Sequence, residues 1–410
     1  MADSEIKSIA VIGGGAAGFF AAISAKAHHP DAKVTLFEQS GKILAKVKVS
    51  GGGRCNVTHN CFSIGDMVKA YPRGGKQLKK VFGTFFTKDT IEWFESRGVK
   101  IKAEADGRMF PVSDSSQSII DCLSAEANKN GVTVKLKSPV QAIKPTEHGF
   151  EMTLGREKIQ SEKVIIASGG SPTLKGLKWL ADLGHEIKNP VPSLFTFNMP
   201  KESVKSLMGV VAPKAAVKIE GSKLKAEGPL LITHWGMSGP AILKLSAWGA
   251  RELADKNYTF TILTDWTGGA KEEELRARLE KIEMINPKKK MTNLCPIDIP
   301  TRLWNFLLEK SELGHEKPWG ELGKKNRNRL INTLINDRYQ VSGKTTFKEE
   351  FVTCGGVALA DVDFTTMQSK KVPGMYFAGE VLDIDGITGG FNFQAAWSTG
   401  FVAGMCEENL

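Results

Sequence analysis

The 410-residue sequence is poor in cysteine and histidine, with six of one and seven of the other, and those it has are scattered. Cys55, Cys61, Cys122, Cys295, Cys354 and Cys406 form no C-x-x-C pair, and no His cluster stands at metal-ligand spacing. Neither a disulfide framework nor a metal site is therefore indicated, and reduced thiols are expected. No uninterrupted apolar stretch approaches the roughly 20 residues that span a bilayer, and the N-terminal Met1-Ala-Asp-Ser-Glu-Ile-Lys-Ser8 lacks a basic segment followed by an apolar core. A cytoplasmic protein with no membrane partner is the expectation. Internal repeats and low-complexity tracts are missing too. Acid is in deficit: 45 Asp and Glu against 55 Lys and Arg give a net charge of +10. Such a balance invites an anionic partner such as RNA, but much of it sits in Lys288–Lys290 and Lys324–Arg329, which read as solvated basic faces. Nucleic acid is thus not the expected partner, and RNA is kept as the alternative.

What is present is a soluble globular composition, 41% apolar and 24% charged, long enough for two or three domains. Its most informative stretch is residues 9–38. A β-branched run, Ile9-Ala-Val-Ile12, leads at once into Gly13-x-Gly15-x-x-Gly18; a small-residue helix over 16–27 follows, then a second strand over 33–37 ending in Glu38. Each part has a physical task in holding an adenine dinucleotide. Gly13 makes the tight turn, Gly15 lets the backbone approach a pyrophosphate, Gly18 lets helix pack on strand, and the helix N-terminus offers unpaired N–H groups and the positive end of a dipole. Glu38, 20 residues after Gly18, would accept hydrogen bonds from the adenosine ribose and repel a 2′-phosphate. No second complete unit of this kind occurs, which argues against a separate NAD(P)H domain and leaves transient NAD(P)H binding open.

The remaining pattern places helices at 88–97 and 115–130, strands at 132–136, 141–144 and 164–167, and a ligand-facing turn at Ser168-Gly169-Gly-Ser-Pro172. From about residue 190 prolines break up short alternating runs, suggesting an inserted β-rich domain over 191–270. A helical domain over 271–345 follows, and the chain from 346 onward returns to the first style, so the dinucleotide domain comprises 1–190 plus 346–410. The expected fold class is α/β, with a discontinuous glutathione-reductase-like (Rossmann-type) domain interrupted by a β-barrel-like and a small helical domain.

The C-terminal segment argues for FAD over NAD, because FAD must be gripped beyond its adenosine half. Gly379-Glu380 is placed for the ribityl and pyrophosphate portion, and Gly389-Gly390 lets the backbone come close to the ring, with the start of the last helix directed at its N1/O2 edge, where negative charge develops on reduction. Ser50-Gly-Gly-Gly-Arg54-Cys55-Asn56 can form an anion nest or pass beneath an aromatic ring, with Arg54 as a forked donor. In the β region, His234 is a candidate general acid or base and Trp235 a pocket wall. Cys55 and Cys61 are one residue further apart than the C-x₄-C of flavin disulfide reductases, so packing is their expected role.

Gly13–Gly18, Ser50–Asn56, Thr233-His-Trp-Gly-Met-Ser-Gly-Pro240, Thr353-Cys-Gly-Gly-Val357, Phe377–Glu380 and Asp385-Gly-Ile-Thr-Gly-Gly390 together resemble the YhiN/BaiN-type family of FAD-dependent oxidoreductases, which includes aminoacetone-oxidase-like members. The resemblance covers nearly the whole chain and implies an FAD domain built from both ends of the sequence. The candidate FAD contacts are Gly13, Gly15, Ala17, Gly18, Glu38, Gln39, Lys46, Ser50, Gly51, Gly52, Arg54, Cys55, Asn56, Val140, Ser168, Gly169, Gly379, Glu380, Asp385, Gly390, Phe391 and Asn392. His234 and Arg54 are the candidate catalytic groups. The expected activity passes a hydride between a small organic substrate and the flavin, with NAD(P)H or oxygen closing the cycle; the alternatives are a basic flavoprotein acting on RNA and a non-enzymatic flavin-binding redox sensor.

Overall fold

In the computed structural model, which describes residues 6–346 and 352–407, the chain divides into two compact units, residues 1–192 with 348–410 and residues 193–347. The first is built on a five-stranded parallel sheet in the order Met375–Phe377, Lys163–Ile166, β1 (Ser8–Ile12), β2 (Lys33–Phe37) and Thr133–Lys135. Four of these strands precede the second unit in the sequence, and Met375–Phe377 follows it. The central strands are buried on both faces, which is why Ile9–Ile12 and Val164–Ile166 read as continuous apolar runs rather than alternating ones.

Between β1 and β2 runs α1 (Ala16–His28), buried from Ala17 to Ala25. The C-terminal helix Phe391–Met405 packs along it. Small residues set how closely the two approach: a Cβ on Gly400 would stand 2.6 Å from the Ala17 carbonyl oxygen, and one on Gly404 2.5 Å from that of Ala21. Ser24 Oγ donates to the Phe401 carbonyl (2.7 Å), and His29 Nε2 bonds that of Met405 (2.8 Å). The two ends of the sequence thereby form one seam.

Helices and strands in this unit follow local chemistry. Ser115 caps the helix Ser116–Lys129 by accepting from Gln117 N–H, and that helix buries Ile119, Leu123 and Ala127 at four-residue spacing. Two antiparallel three-stranded sheets, Thr58–His59 with Arg108–Pro111 and Ile101–Ala103, and a meander over 142–161, also belong to it.

The second unit has its own core. Seven strands form an antiparallel sheet with Asp337–Ser342 at one edge and Lys344–Thr345 at the other. Only Gly343 separates these edge strands in sequence; its N–H donates to Tyr258 (2.8 Å) and its carbonyl accepts from Asn198 (3.1 Å), so the sheet curls round on itself. Its φ of +103° is one that L side chains rarely adopt. The stretch 271–345, expected to be helical, is helical at 272–285, 301–310 and 323–335 and then returns to strand at Asp337–Ser342. The reason is a period-two pattern: Asp337, Tyr339 and Val341 point inward while Arg338, Gln340 and Ser342 are exposed. Helices and strands of this unit bury their apolar faces in common.

Candidate functional site

The N-terminus of α1 is open. Gly15 stands at its N-cap with no side-chain cap and no acid in the first turn, and a Cβ placed on Gly15 would meet nothing within 4 Å. Gly13 and Gly18 are tightly enclosed by contrast: a Cβ on Gly13 would lie 2.2 Å from the Ala167 carbonyl oxygen, and one on Gly18 1.8 Å from that of Gly13. The three glycines thus do different work, two for packing and one to leave room. Glu38, at the end of β2, is half-buried; it accepts from Gly14 N–H (2.8 Å) and Ser40 N–H (2.7 Å), which fix its carboxylate beside the glycine turn. Gln39 is exposed next to it, and Val140, half-buried, precedes the meander.

Gly51, Gly52 and Gly53 have φ of +58°, +69° and +84°, three successive left-handed residues that break the helix begun at Ala45. A Cβ on Gly51 would press within 2.9 Å of Phe110, whereas Gly52 and Gly53 face open space. Ser50 closes the turn by accepting Cys55 N–H at its carbonyl (3.0 Å). Arg54 lies over the Phe110 ring at 3.9 Å, bonds Glu104 at 2.6 Å and has Asp114 at 3.6 Å. The Glu104 hydrogen bond leads in raising its pKa above the ordinary guanidinium value. Cys55 is buried, and burial pushes its thiol up to about 12; Cys61 donates to the Ser63 carbonyl, and both are free thiols.

The distal segment arrives at the same place. Gly379 has φ +74°, and a Cβ there would meet that of Ala17 at 2.7 Å, so Ala17 and Gly379 abut at the first turn of α1. Glu380 bonds Lys46 Nζ (2.6 Å) and Thr353 N–H (2.8 Å). Next to them Gly169 faces open space with Ser168 exposed, and a Cβ on Gly170 would fall within 2.8 Å of both Glu380 and Thr353. The buried Thr353 hydroxyl has no hydrogen-bond partner among the described residues.

The glycine loop before the last helix is gripped by side chains from residues 56–73. With its amide oriented to satisfy its neighbours, Asn56 accepts from Gly390 N–H at 3.0 Å and donates to the Thr58 carbonyl at 3.0 Å. His59 Nδ1 bonds the Gly389 carbonyl (3.0 Å), and its ring stacks on Phe391 at 4.6 Å. Tyr71 donates to the Phe391 carbonyl (2.7 Å). Arg73 makes a bidentate pair with Asp385, whose side chain is 0% exposed. Asn392 bonds Gly386 in both directions, at 2.8 and 3.0 Å. Sequence reading placed Asp385, Gly390, Phe391 and Asn392 here but missed His59, Tyr71 and Arg73. Their only signal was proximity to the glycine-rich turn, because each acts on a partner from the opposite end of the sequence.

His234 belongs to the second unit. It is exposed and edge-on to Trp235 at 4.3 Å, and Trp235 Nε1 donates to Thr196 (3.0 Å). Among the described residues no group of three or more His, Cys, Asp or Glu is arranged to hold a metal, and no helix is long and apolar enough to cross a membrane.

The family described as HI0933-like protein Rossmann domain matches residues 7–406. The chain belongs to this family. Among its HI0933-like relatives is the ribosomal RNA dihydrouridine synthase of Escherichia coli, 32% identical over 410 residues, covering 98% of this chain and 97% of that one. Another is the 3-dehydro-bile acid delta(4,6)-reductase of Clostridium scindens, 28% identical, covering 97% and 98%. The crystal structure of 3-ketosteroid-delta4-(5alpha)-dehydrogenase from Rhodococcus jostii shares the fold with a TM-score of 0.53 at 11% identity, over 100% of this chain and 99% of that one. Membership is the one the sequence motifs implied, and it makes this HI0933-like chain an FAD-dependent oxidoreductase by class.

Proposed function

We propose that this chain holds FAD at the N-terminus of α1 and uses it to reduce a carbon–carbon double bond conjugated to a carbonyl group. The observation that carries the cofactor assignment is the open, uncapped helix start at Gly15 beside Glu38, with Gly169, Glu380 and the orphaned Thr353 hydroxyl around it. A pyrophosphate fits there electrostatically, since α1 offers N–H donors and carries no acid in its first turn. Glu38 would take the ribose hydroxyls, and Val140 the adenine edge. The nest at Ser50–Asn56, with Arg54, and the loop Gly389–Asn392 would border the ribityl chain and ring. Lys46 would act through Glu380, and Asp385 through the loop it anchors.

The bond type rests on two relatives whose names describe the same chemistry, saturation of an alkene conjugated to a carbonyl, in a pyrimidine and in a steroid. FAD, when bound, supplies the two electrons as hydride to the β-carbon, and a nicotinamide dinucleotide is the class of donor that would replace them. The α-carbon then needs a proton, and an imidazole such as that of His234 has the chemistry to supply one. The chain's own task is to orient the reacting faces and exclude water.

A second, narrower reading is favoured by the E. coli relative and by the net charge of +10: the alkene is the uracil C5–C6 bond of an RNA. Anaerobic addition of NADH or NADPH to the purified flavoprotein should bleach the flavin; a conjugated enone or a uridine-containing RNA should restore the colour. Protein purified without flavin, or reduced flavin that only oxygen reoxidises, would contradict the proposal.

A further inference from the structure

Helix Gly75–Val81 buries Leu78 and Val81 and turns Lys76 and Lys80 outward on one face, four residues apart. Like charges at this spacing destabilise a helix. At four other helix sites a carboxylate stands four residues from the base, in Lys88–Glu92, Lys178–Asp182, Glu252–Lys256 and Glu272–Arg276. Much of the basic run 324–329 is similarly neutralised, with Arg327 on Glu280 and Glu283 and Arg329 on Glu312. Lys76 and Lys80 make no ion pair among the described residues.

They line a groove of about 340 Å³ whose opposite wall is the segment 359–370, with Lys370 exposed on that side and Val362 and Phe364 as apolar floor. Hydrogen bonds hold this wall in its turn: Asp363 accepts Thr365 N–H (2.8 Å), its carbonyl takes Met367 N–H (2.7 Å), and its own N–H donates to Gln368 (2.9 Å). Lys370 Nζ rests on the Ala360 carbonyl at 3.1 Å. Among the lining residues Asp363 is the single carboxylate; Thr365 N–H leads in holding its pKa below the ordinary value, with Lys80 and Lys370 adding to it, and one carboxylate leaves the three lysines in excess. Three lysines on two walls thus keep an excess of positive charge over a cavity, and none of the lining residues is a candidate FAD contact.

We propose that the groove between Lys76, Lys80 and Lys370 receives phosphates of an RNA strand. This rests on the RNA reading of the substrate. Spaced lysines on a shallow wall suit a backbone of repeating single charges, held as point contacts and released with rising salt.

The test is fluorescence anisotropy of the FAD-loaded protein with a fluorescein-labelled single-stranded oligouridylate of ~20 nucleotides, from roughly 50 to 200 mM salt. The triple variant Lys76→Gln, Lys80→Gln, Lys370→Gln should flatten the slope of log K against log salt by about two and weaken binding on the order of a hundredfold near 0.1 M salt. Its flavin content should be unchanged. A charge-matched variant, Lys288→Gln, Lys324→Gln, Lys325→Gln, should keep the wild-type slope. An unaltered slope in the groove variant, or an equal loss in the charge-matched one, overturns the groove while leaving the RNA reading standing. A wild-type protein with no salt-dependent binding overturns both. If the groove variant instead raises KM for NADPH and leaves the RNA slope alone, the site serves a dinucleotide and the proposal fails.

Discussion

Replacing Arg73 by Met isolates the contribution of the grip on the C-terminal glycine loop. The Arg73 side chain is 12% exposed and that of Asp385 0%, and the guanidinium meets both carboxylate oxygens. Removing one partner of such a buried pair costs about 3–5 kcal/mol, because the remaining charge must be kept out of water without its counter-ion or must take up a proton. The loop from Gly386 to Gly390 begins at that carboxylate, so much of the loss should fall on local order there. Arg73→Met is therefore expected to lower the stability of the first unit by several kcal/mol in urea, with flavin release as the marker of that unit's transition, and to weaken FAD retention at least about tenfold, which corresponds to ~1.4 kcal/mol. The double variant Arg73→Met, Asp385→Leu should recover much of the stability, since well-packed apolar groups often replace a buried ion pair without loss. A single variant within about 1 kcal/mol of wild type, or a double variant no better than the single, would refute the reasoning.

Gly15→Val should fold normally, because its Cβ enters open space at an ordinary φ of −88°, yet the purified protein should lack flavin; normal flavin content would remove the pyrophosphate from that turn. At pH 8 a thiol-alkylating reagent should modify half-exposed Cys61 in the folded protein and spare Cys55, whose thiol stays protonated with its pKa at about 12; mass spectrometry of the digested protein reads the order. Burial holds the His185 pKa below its ordinary value, and the ring bonds Leu180 and Ser369. The unfolded chain therefore binds a proton first, so the His185 contribution is complete above about pH 6.5 and is lost as pH falls through the folded pKa. Unfolding free energies measured from pH 7.5 downward should show that loss, and His185→Gln should shrink it.

The first unit was legible where the physics is local. Ile9–Glu38 announced strand, turn, helix and acid at fixed spacing, and Ser115 marked the start of its helix. The glycines at Gly51–Gly53 stood out as either an anion nest or a stretch able to pass beneath a ring, but the helical turn before them did not, because Ala45–Val49 has too few residues for a helical period to stand out. Arg54 was visible as a donor, while Glu104 and Asp114, which engage it, come from a hairpin and turn well downstream in the sequence. Nor do spacings reveal that Tyr71 and Arg73 reach Phe391 and Asp385. In the second unit the alternation of Asp337–Ser342 was readable as a strand, but its place beside Thr259–Asp265 depends on pairing across all the helices that intervene in the sequence.

The parallel sheet has one consequence for how the protein is made. Its strand Lys163–Ile166 must wait for its neighbour Met375–Phe377 until the whole second unit has been synthesised, roughly 10 to 40 s at ordinary translation rates. During that interval a bare sheet edge faces solvent and a chaperone has reason to shield it. The inserted unit likewise completes its sheet only when Lys344–Thr345 arrives to pair with Thr196–Asn198.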